Sequence, residues 1–339
     1  MAKYGSPSVV VLVDGVNLTP ALTETVTQSQ EALTEKTDPI NSGTEEHTPT
    51  GKVRGTLALG GGIFDEAVDT LHAGIAGSGV GVSRTVCIAI EGQTLGRHFT
   101  GYAGAYGLTY AVVASNGSLT KANVTHQVSG QVDDGVILCT HAAHTADWTA
   151  AFDDAVDAAD DAQAERIDIV SSSIESGATS IIVTKKAHHL VTGDHVAIFG
   201  HTSVVPDLND DTNPNVFPGG IHVTVIDATS FSIPVDVTDA GLGGYCVVVS
   251  RERGGVGYLQ VTAGSGFTNF VGTIQHNVDA TNSGGWSDLV TFADTTTDYS
   301  TAQRVATATT TTQVHRYLRF NGNVTGSGSL TVFAGFARG

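Results

Sequence analysis

Four pairs of adjacent carboxylates are the first residues whose types and spacing could support chemistry. They are Asp133-Asp134, Asp153-Asp154, Asp160-Asp161 and Asp210-Asp211. Two carboxylates act together as general acid and base only when both face the same reacting group. Neighbouring residues on a β-strand point to opposite faces, so adjacency alone does not create such a dyad. We interpret the pairs as solvated turn residues, and the sequence predicts no catalytic residues and no enzyme.

A glycine-rich stretch at Gly77-Ser78-Gly79-Val80-Gly81 is the next candidate, because such loops can cradle phosphates. It lacks both the lysine that ends a P-loop and a helix that follows it. The sequence therefore predicts no phosphate site there and no cofactor.

Metal binding is suggested by two groups of residues in the second half of the chain. Asp207, Asn209, Asp211 and Asn213 alternate like the start of a calcium loop, but Thr212 and Pro218 replace its sixth-position glycine and twelfth-position glutamate. Five histidines have no recognised ligand spacing, namely His188, His189, His195, His201 and His222. We interpret them as surface or strand histidines, and the sequence predicts no metal site.

The charge balance limits the possible partners. The 339 residues include 34 acids and 16 bases, for a net charge of −18. A surface this acidic repels the phosphate backbone, so specific or non-specific DNA binding through Lys and Arg is not expected. The 41 glycines against one methionine favour turns and strands over long helices.

The cysteines and the first residues indicate the compartment. Cys87, Cys139 and Cys246 each lie in an apolar run and are predicted to be buried and unpaired. The apolar run Val9–Val13 is too short for a signal-peptide core or a membrane span. We therefore expect folding in a cytoplasm and no membrane partner.

The stretch from Gly254 to Gly339 alternates apolar and polar residues with a period of two, which is typical of antiparallel strands with one buried face. Leu330, Val332, Ala334 and Phe336 share one face of the last predicted strand, and Asn321-Gly322-Asn323 predicts a break before it. The other strands predicted here are Phe270–His276, Trp286–Phe292 and Val314–Phe320.

The first half of the chain mixes strands with other elements. Val9–Val13 predicts a strand that ends in a tight turn at Asp14-Gly15, and the polar span 23–50 predicts either disorder or an extended arm. Phe64–Ile75 predicts a helix, because its apolar residues form one stripe. The acidic span 145–165 predicts a short helix or an acidic loop. Further strands are predicted at 53–59, with a break at Gly60–Gly62, and at 84–90, 110–115, 123–128 and 135–139.

A small β-domain interrupts this pattern. The run from Ala187 to Val196 resembles a signature of small β-barrel modules inserted in phage structural proteins, with His189 where that signature prefers glycine. Strands are predicted at 180–184, 195–199, 222–227, 231–235 and 245–249. We therefore expect a discontinuous domain of residues 1–165 and 252–339, with residues 166–251 as the insertion.

The order of short motifs along the discontinuous domain resembles the tail tube (major tail) proteins of long-tailed, siphovirus-type bacteriophages. These motifs are Thr48–Lys52, Gly55–Gly61, Phe64-Asp65, Leu71–Ala73, Gly257–Val261, Gln275-His276, Trp286–Phe292 and Arg316–Arg319. The resemblance implies a mainly β fold, a tail-tube-type β-sandwich or barrel with one flanking α-helix and the inserted small all-β domain outside. It leaves open whether the tail is non-contractile or contractile.

The resemblance also implies what the protein does and with what. It implies a structural virion protein that self-assembles into stacked hexameric rings, forming a hollow tube through which DNA is ejected without specific binding. The implied partners are copies of the chain and the tail terminator, tape-measure and distal tail proteins. The expected location is the virion, after assembly in the host cytoplasm.

Polar and charged residues in the predicted arm and near the last strand are candidates for contacts between rings or subunits: Thr23, Glu24, Glu31, Glu35, Lys36, Glu45, Glu46, Lys52, Arg316 and Arg319. Acids of the span 145–165 are candidates for the wall of the lumen: Asp147, Asp153, Asp154 and Asp157. The alternative function is a β-rich surface adhesin or carbohydrate- or receptor-binding module, with the insertion as its active part. The insertion contains few aromatic residues, whereas sugar platforms need exposed aromatic faces.

Overall fold

The computed structural model describes residues 9–36, 47–63, 82–114, 120–128, 132–145, 166–174, 179–202, 207–209, 220–277, 285–296, 301–315 and 317–339. Within these ranges the protein is built of strands, apart from a 3-10 turn at Thr19–Ala21, which confirms the mainly β fold class. The predicted helix at Phe64–Ile75 and residues 146–165 of the acidic span lie outside the described residues.

Eight strands form before residue 146. They are β1 (Val10–Val13), β2 (Val16–Asn17), β3 (Leu22–Lys36), β4 (His47–Ile63), β5 (Ser83–Ala89), β6 (His98–Val113), β7 (Lys121–Val128) and β8 (Val132–Thr145). The tight turn predicted between β1 and β2 is confirmed, since Asp14 and Gly15 have φ angles of 48° and 76°.

Strands β3 and β4 pair antiparallel from Leu22↔Gly62 to Lys36↔His47, so the extended-arm alternative holds for the described part of the polar span. The break predicted at Gly60–Gly62 is wrong, because β4 continues through these glycines with a register shift against β7. Glycine is needed there for close packing: a Cβ on Gly60 would lie 2.7 Å from Thr25 Oγ1.

Seven strands follow between residues 166 and 252. They are β9 (Ile167–Ile174), β10 (Ser180–Thr184), β11 (Asp194–Phe199), β12 (Ile221–His222), β13 (Thr224–Val225), β14 (Ser230–Ile233) and β15 (Tyr245–Glu252). The strand predictions here are confirmed, with two exceptions. The strand predicted at 222–227 is replaced by the end of β12 and the two-residue strand β13, and β9 was not predicted.

The last five strands are β16 (Gly255–Asn277), β17 (Ser287–Thr291), β18 (Thr301–Ala306), β19 (Gln313–His315) and β20 (Tyr317–Arg338). The break predicted at Asn321–Asn323 is wrong, because these residues pair with Val271–Thr273 inside one long ladder between β16 and β20. Gly322 faces Gly272, and the open space over Gly272 is filled by the Phe320 ring. Strand β20 has one buried face up to Val332. Beyond Val332 both of its faces are buried.

These strands form two sheets. The twelve-stranded sheet has the order β17-β16-β20-β8-β6-β5-β1-β2, with β18 also on β16 and with β7, β4 and β3 branching from β6. The eight-stranded sheet has the order β12-β11-β15-β9-β10-β14-β13, with β19 also on β15. One strand from outside residues 166–251 therefore belongs to the second sheet.

The large sheet folds over an apolar core that joins its two ends. Tyr258 on β16, Phe99 on β6 and Phe333 on β20 are fully buried, and Phe99 makes edge-to-face contacts with both other rings at 5.6 and 5.7 Å. They pack with Val10 and Leu12 of β1 in one cluster. A second core packs against β16 and β20 and includes Leu259 and Phe336, and both faces are buried only where Gly257–Val261 pair with Val332–Phe336.

Candidate assembly surfaces

The β3–β4 ribbon extends past the strand that supports it. β7 pairs with β4 only between Gly55 and Ile63, whereas His47–Pro49, Val53 and Arg54 pair with β3 and with no other described strand. On β3 this part of the ribbon covers Glu31–Lys36, which at about 3.3 Å per residue is roughly 20 Å. A two-stranded ribbon is marginally stable in water on its own. The ribbon would therefore gain stability from pairing with another chain.

The structure places most candidate contact residues along this ribbon. Strand β3 contains Thr23, Glu24, Glu31, Glu35 and Lys36, and β4 contains Lys52. In the ladder between the two strands, Arg54 is the backbone partner of Glu31. Glu45, Glu46 and Arg316 lie outside the described residues.

Arg319, the other candidate, lies on β20 and is occupied within the chain. Its Nε donates to Gln275 Oε1 at 2.8 Å, and its guanidinium stacks 4.3 Å from the centre of the Trp286 ring. An intermolecular role for Arg319 would therefore compete with these two contacts.

The lumen candidates Asp147, Asp153, Asp154 and Asp157 all lie outside the described residues, as do Gly77–Gly81 and the pairs Asp160-Asp161 and Asp210-Asp211. Their roles stay predictions.

The far end of strand β6 extends beyond two of its described partner strands. It pairs with β8 only up to Tyr102 and with β5 only up to Tyr106, so beyond Tyr106 it has β7 as its one partner among the described strands. Leu108, Val112 and Val113 on this segment are 51%, 46% and 51% exposed. An apolar open edge is a template for pairing with another chain. These three residues were not among the contact residues predicted from the sequence.

Asp133 corrects the interpretation of the carboxylate pairs as solvated turns. It lies in strand β8, is 4% exposed and accepts hydrogen bonds from the Tyr258 hydroxyl and from Arg304. Burial and the bond to this carboxylate raise the pKa of Tyr258. Asp134 is exposed and bonds Thr100, so the two carboxylates point to opposite faces and form no dyad.

A second buried polar residue attaches the first hairpin to β16. Gln260 is fully buried, accepts a hydrogen bond from Gly15 N at 2.7 Å and donates to Thr85 O at 3.2 Å. Arg84 completes this contact with an ion pair to Asp14 at 3.0 Å. Both contacts link residues far apart in sequence.

Two histidines of the insertion are not the surface or strand residues that we predicted. His188 and His201 lie in loops and are 5% and 4% exposed. Leu190 N donates to His188 Nδ1 at 3.0 Å, and the His201 ring bonds Gly243 O at 2.7 Å and Ser172 Oγ at 2.9 Å. Both rings therefore hold loops against the sheet. The prediction is confirmed for exposed His189 and for strand residues His195 and His222.

The described part of the calcium-like run is occupied by bonds within the chain. Asn209 Nδ2 donates to Asp207 Oδ1 at 2.8 Å and to His201 O at 2.7 Å, while its Oδ1 accepts from His201 N at 2.7 Å. Asp211 and Asn213 lie outside the described residues. Across the described part of the chain, no three His, Cys, Asp or Glu side chains are placed to hold a metal ion.

Four histidines lie where the two sheets meet. His276 and His315 stack at 4.5 Å, His195 and His222 contact edge to face at 5.2 Å, and His276 Nδ1 accepts a hydrogen bond from His315 N at 3.1 Å. Burial, with nearby His315 and Arg338, lowers the pKa of His276 to about 4. Burial also lowers the pKa of His195 and of His315. The contact between the two sheets therefore favours neutral imidazoles at His195, His276 and His315.

The cysteine prediction is confirmed, since Cys87, Cys139 and Cys246 are buried and form no disulfide. Burial raises the pKa of Cys87 and of Cys246 to about 12, so both thiols stay protonated. Among the described residues there is no helix long and apolar enough to span a membrane.

No protein-family model matches the chain, and no curated protein matches it. Thirteen chains of solved structures do. One, from the virion of a native gene transfer agent (GTA) particle, is 13% identical with a TM-score of 0.29, over 38% of this chain and 95% of that chain. Another, from the tail of an empty GTA particle with C6 symmetry, is 14% identical with a TM-score of 0.28, over 36% and 92%.

A third match, the SPP1 Dit (gp 19.1) protein, described as a hub of the adsorption apparatus of phages that infect Gram-positive hosts, is 9% identical with a TM-score of 0.25 over 96% of this chain and 98% of that chain. TM-scores below 0.5 are too low for any of the three to establish a shared function.

Proposed function

We propose that this chain is a structural virion protein, the tail tube subunit of a long-tailed phage or a related tail-like particle. In this proposal it self-assembles into stacked hexameric rings around a hollow conduit for DNA. The observation that carries the proposal is the β3–β4 ribbon, which runs roughly 20 Å past β7. The order of tail-tube-like motifs along the chain points in the same direction.

The two surfaces suit two kinds of contact. Pairing of the open β6 edge with a neighbouring copy is a head-to-tail contact, which closes into a ring when the rotation between copies allows it. The ribbon would then reach the next ring and stack it. Both contacts complete hydrogen bonding that the single chain leaves open.

The acidic composition supports the conduit. A net charge of −18 per copy gives a ring of like charge, which repels DNA that passes through it. The tail terminator, tape-measure and distal tail proteins are the partners that such a tube would need.

We further propose that residues 166–251 are an insertion on the tube exterior, within a domain formed by 1–165 and 252–339. The first strand of this segment lies beside its last strand, because Ile167 pairs with Cys246 and Asp168 with Tyr245. A host domain tolerates insertion when the two ends of the inserted segment are close. The ion pair between Asp194 and Arg253, at 2.9 Å, connects the insertion to the chain that follows it.

Electron microscopy of the purified protein over a range of concentrations tests the proposal. We expect rings or hollow tubes from the full chain, and also from a variant in which a short linker replaces residues 166–251. A full chain that stays monomeric at all concentrations would overturn the tube proposal. If the isolated chain adhered to cell surfaces without assembling, the adhesin alternative would replace it.

A further inference from the structure

A cleft in the eight-stranded sheet concentrates the positive charge of the insertion. Its volume is about 80 Å³, and it is lined by Arg166, Ile167, Asp168, Lys185, Lys186 and Ala187. Residues 166–251 contain four Lys and Arg residues, and only the fourth, Arg251, lies outside this lining. Three of four bases line one cleft in a chain of net charge −18.

The backbone brings these bases together from two strands. β9 begins at Ile167 and β10 ends at Thr184, and the two strands are antiparallel neighbours. Lys185 N donates to Asp168 O at 2.9 Å, which fixes the residues after β10 beside the start of β9. The position of the bases therefore follows from sheet register.

Arg166 is held in place while part of its guanidinium stays available. Its guanidinium lies 4.1 Å from the centre of the Tyr245 ring, which stacks in turn on Phe199 at 5.3 Å. Its Nε donates to Asp168 Oδ1 at 3.0 Å, and its side chain remains 65% exposed. The two terminal nitrogens of a guanidinium form the fork that binds a phosphate or carboxylate through two bonds.

The lysines supply the remaining charge. Lys185 and Lys186 are exposed, and neither ammonium group has an ion-pair partner among the described residues. Three cations against the one carboxylate of Asp168 leave a local charge of about +2, which favours an anion over a neutral or cationic ligand. We propose that this cleft binds a phosphate-type oxyanion, held by the Arg166 fork and the two lysine ammonium groups.

The anion can be a free ion or one of the repeating phosphates of a polymer, because both present the same group. Binding of a polymer rests on the proposed function. An assembly of repeated subunits would present many clefts and would bind a polymer of phosphates more tightly through multivalency. Duplex DNA is disfavoured by the chain's net charge.

Titration of the full-length chain with inorganic phosphate at low ionic strength, followed by NMR, tests the site. We expect saturable shifts at Ile167 and Ala187, and binding weakened roughly tenfold or more in the double variant Lys185→Gln/Lys186→Gln. Arg166→Lys keeps the charge and removes the fork, so it should also weaken binding. The double variant Arg97→Gln/Lys121→Gln changes the net charge equally, in the other sheet, and should bind like the wild type.

Absence of saturation at the solubility limit of phosphate would overturn the site, as would equal weakening in the Arg97→Gln/Lys121→Gln control. Linear polyphosphate should bind assembled particles more tightly than it binds the single chain. Duplex DNA is the alternative ligand of the cleft, and this is tested with the same double variant. If duplex DNA binds and Lys185→Gln/Lys186→Gln weakens that binding as much as it weakens phosphate binding, the cleft is a nucleic-acid site and the phosphate assignment is overturned. Phosphate binding is measured on the unassembled chain, so the absence of phosphate binding would not affect the tube proposal. Conversely, a chain that does not assemble can still be titrated with phosphate.

Discussion

Arg304 donates two hydrogen bonds, from Nε at 3.0 Å and Nη2 at 2.9 Å, to one carboxylate oxygen of Asp133. Asp133 lies on β8 and Arg304 on β18, with β20 and β16 between them in the sheet. The Tyr258 hydroxyl donates to the same oxygen. This ion pair therefore holds strands together that share no ladder.

Asp133→Asn should lower the free energy of unfolding by about 2–4 kcal/mol. The Asp133 side chain is 2% exposed and that of Arg304 25%, so the change leaves a partly buried guanidinium without its counter-ion. Urea denaturation followed by fluorescence measures the loss. Asp134→Asn is the matched control, because Asp134 is exposed, and it should stay within about 0.5 kcal/mol of the wild type. Equal stability of both variants would contradict the role of the Asp133 ion pair.

Stability should decrease as the pH falls from 6.5 towards 4. His276 has a pKa of about 4 in the folded chain against an ordinary value of 6.5, so in this range the unfolded chain binds a proton that the folded chain does not. His195, His315, His141 and His144 have pKa values lowered by burial and act in the same direction. The loss from His276 alone is roughly 2 kcal/mol, after allowance for its partial exposure.

Thermal unfolding between pH 4 and 7.5 measures this loss. His276→Asn keeps an acceptor near Nδ1 for His315 N but cannot be protonated, so it should flatten the pH dependence. Thr268→Asn, at an exposed position of the same strand, removes no titratable group and should leave the slope unchanged. A wild-type stability that is constant over this range would contradict neutral imidazoles at the contact between the two sheets.

Local patterns predicted the strands well but not where strands end or meet. Alternation identified β7, and the Asp14-Gly15 turn identified the first hairpin, because both signals come from neighbouring residues. Gly60 and Gly322 were predicted as breaks, whereas both lie inside long ladders, and at Gly60 a Cβ would lie 2.7 Å from Thr25 Oγ1. Contacts such as Asp133–Arg304 join residues 171 positions apart and leave no local signal. The apolar edge of β6 is equally invisible, because pairing with β5 and β8 determines where it opens.

His189→Gly should stabilise the chain by roughly 0.5–1 kcal/mol. His189 has a φ of 53°, in the left-handed region where a side chain costs energy and glycine does not. The inserted-module signature also prefers glycine at this position. His189→Ala is the matched control, since it removes the imidazole without freeing the backbone, and it should not stabilise. Chemical denaturation distinguishes the two, and equal effects would show that the ring rather than the backbone matters.

The three thiols should react slowly with a thiol reagent in the native state and rapidly after unfolding. All three are buried, and burial raises the pKa of Cys87 and of Cys246 to about 12, so almost no thiolate forms at neutral pH. Absorbance of the released chromophore with and without denaturant measures both rates. A thiol that reacts at the same rate in both states would contradict the burial of that cysteine.

Val113→Lys should block assembly without unfolding the chain. Val113 is 51% exposed on the β6 segment that has β7 as its one partner among the described strands, so a lysine there is solvated in the single chain. In an assembly that pairs this edge, the charge would be buried, and a lysine on an edge strand is a known block to strand addition. The protein concentration needed for rings or tubes should rise roughly tenfold or more, while the unfolding free energy stays within about 0.5 kcal/mol of the wild type.

Ile226→Lys, at a position 52% exposed in the insertion, introduces the same charge away from the edge and should assemble normally. Sedimentation and electron microscopy measure both variants. Tubes formed by Val113→Lys at the wild-type concentration would mean that the ring closes through a different edge, and the β3–β4 ribbon would be the next edge to test.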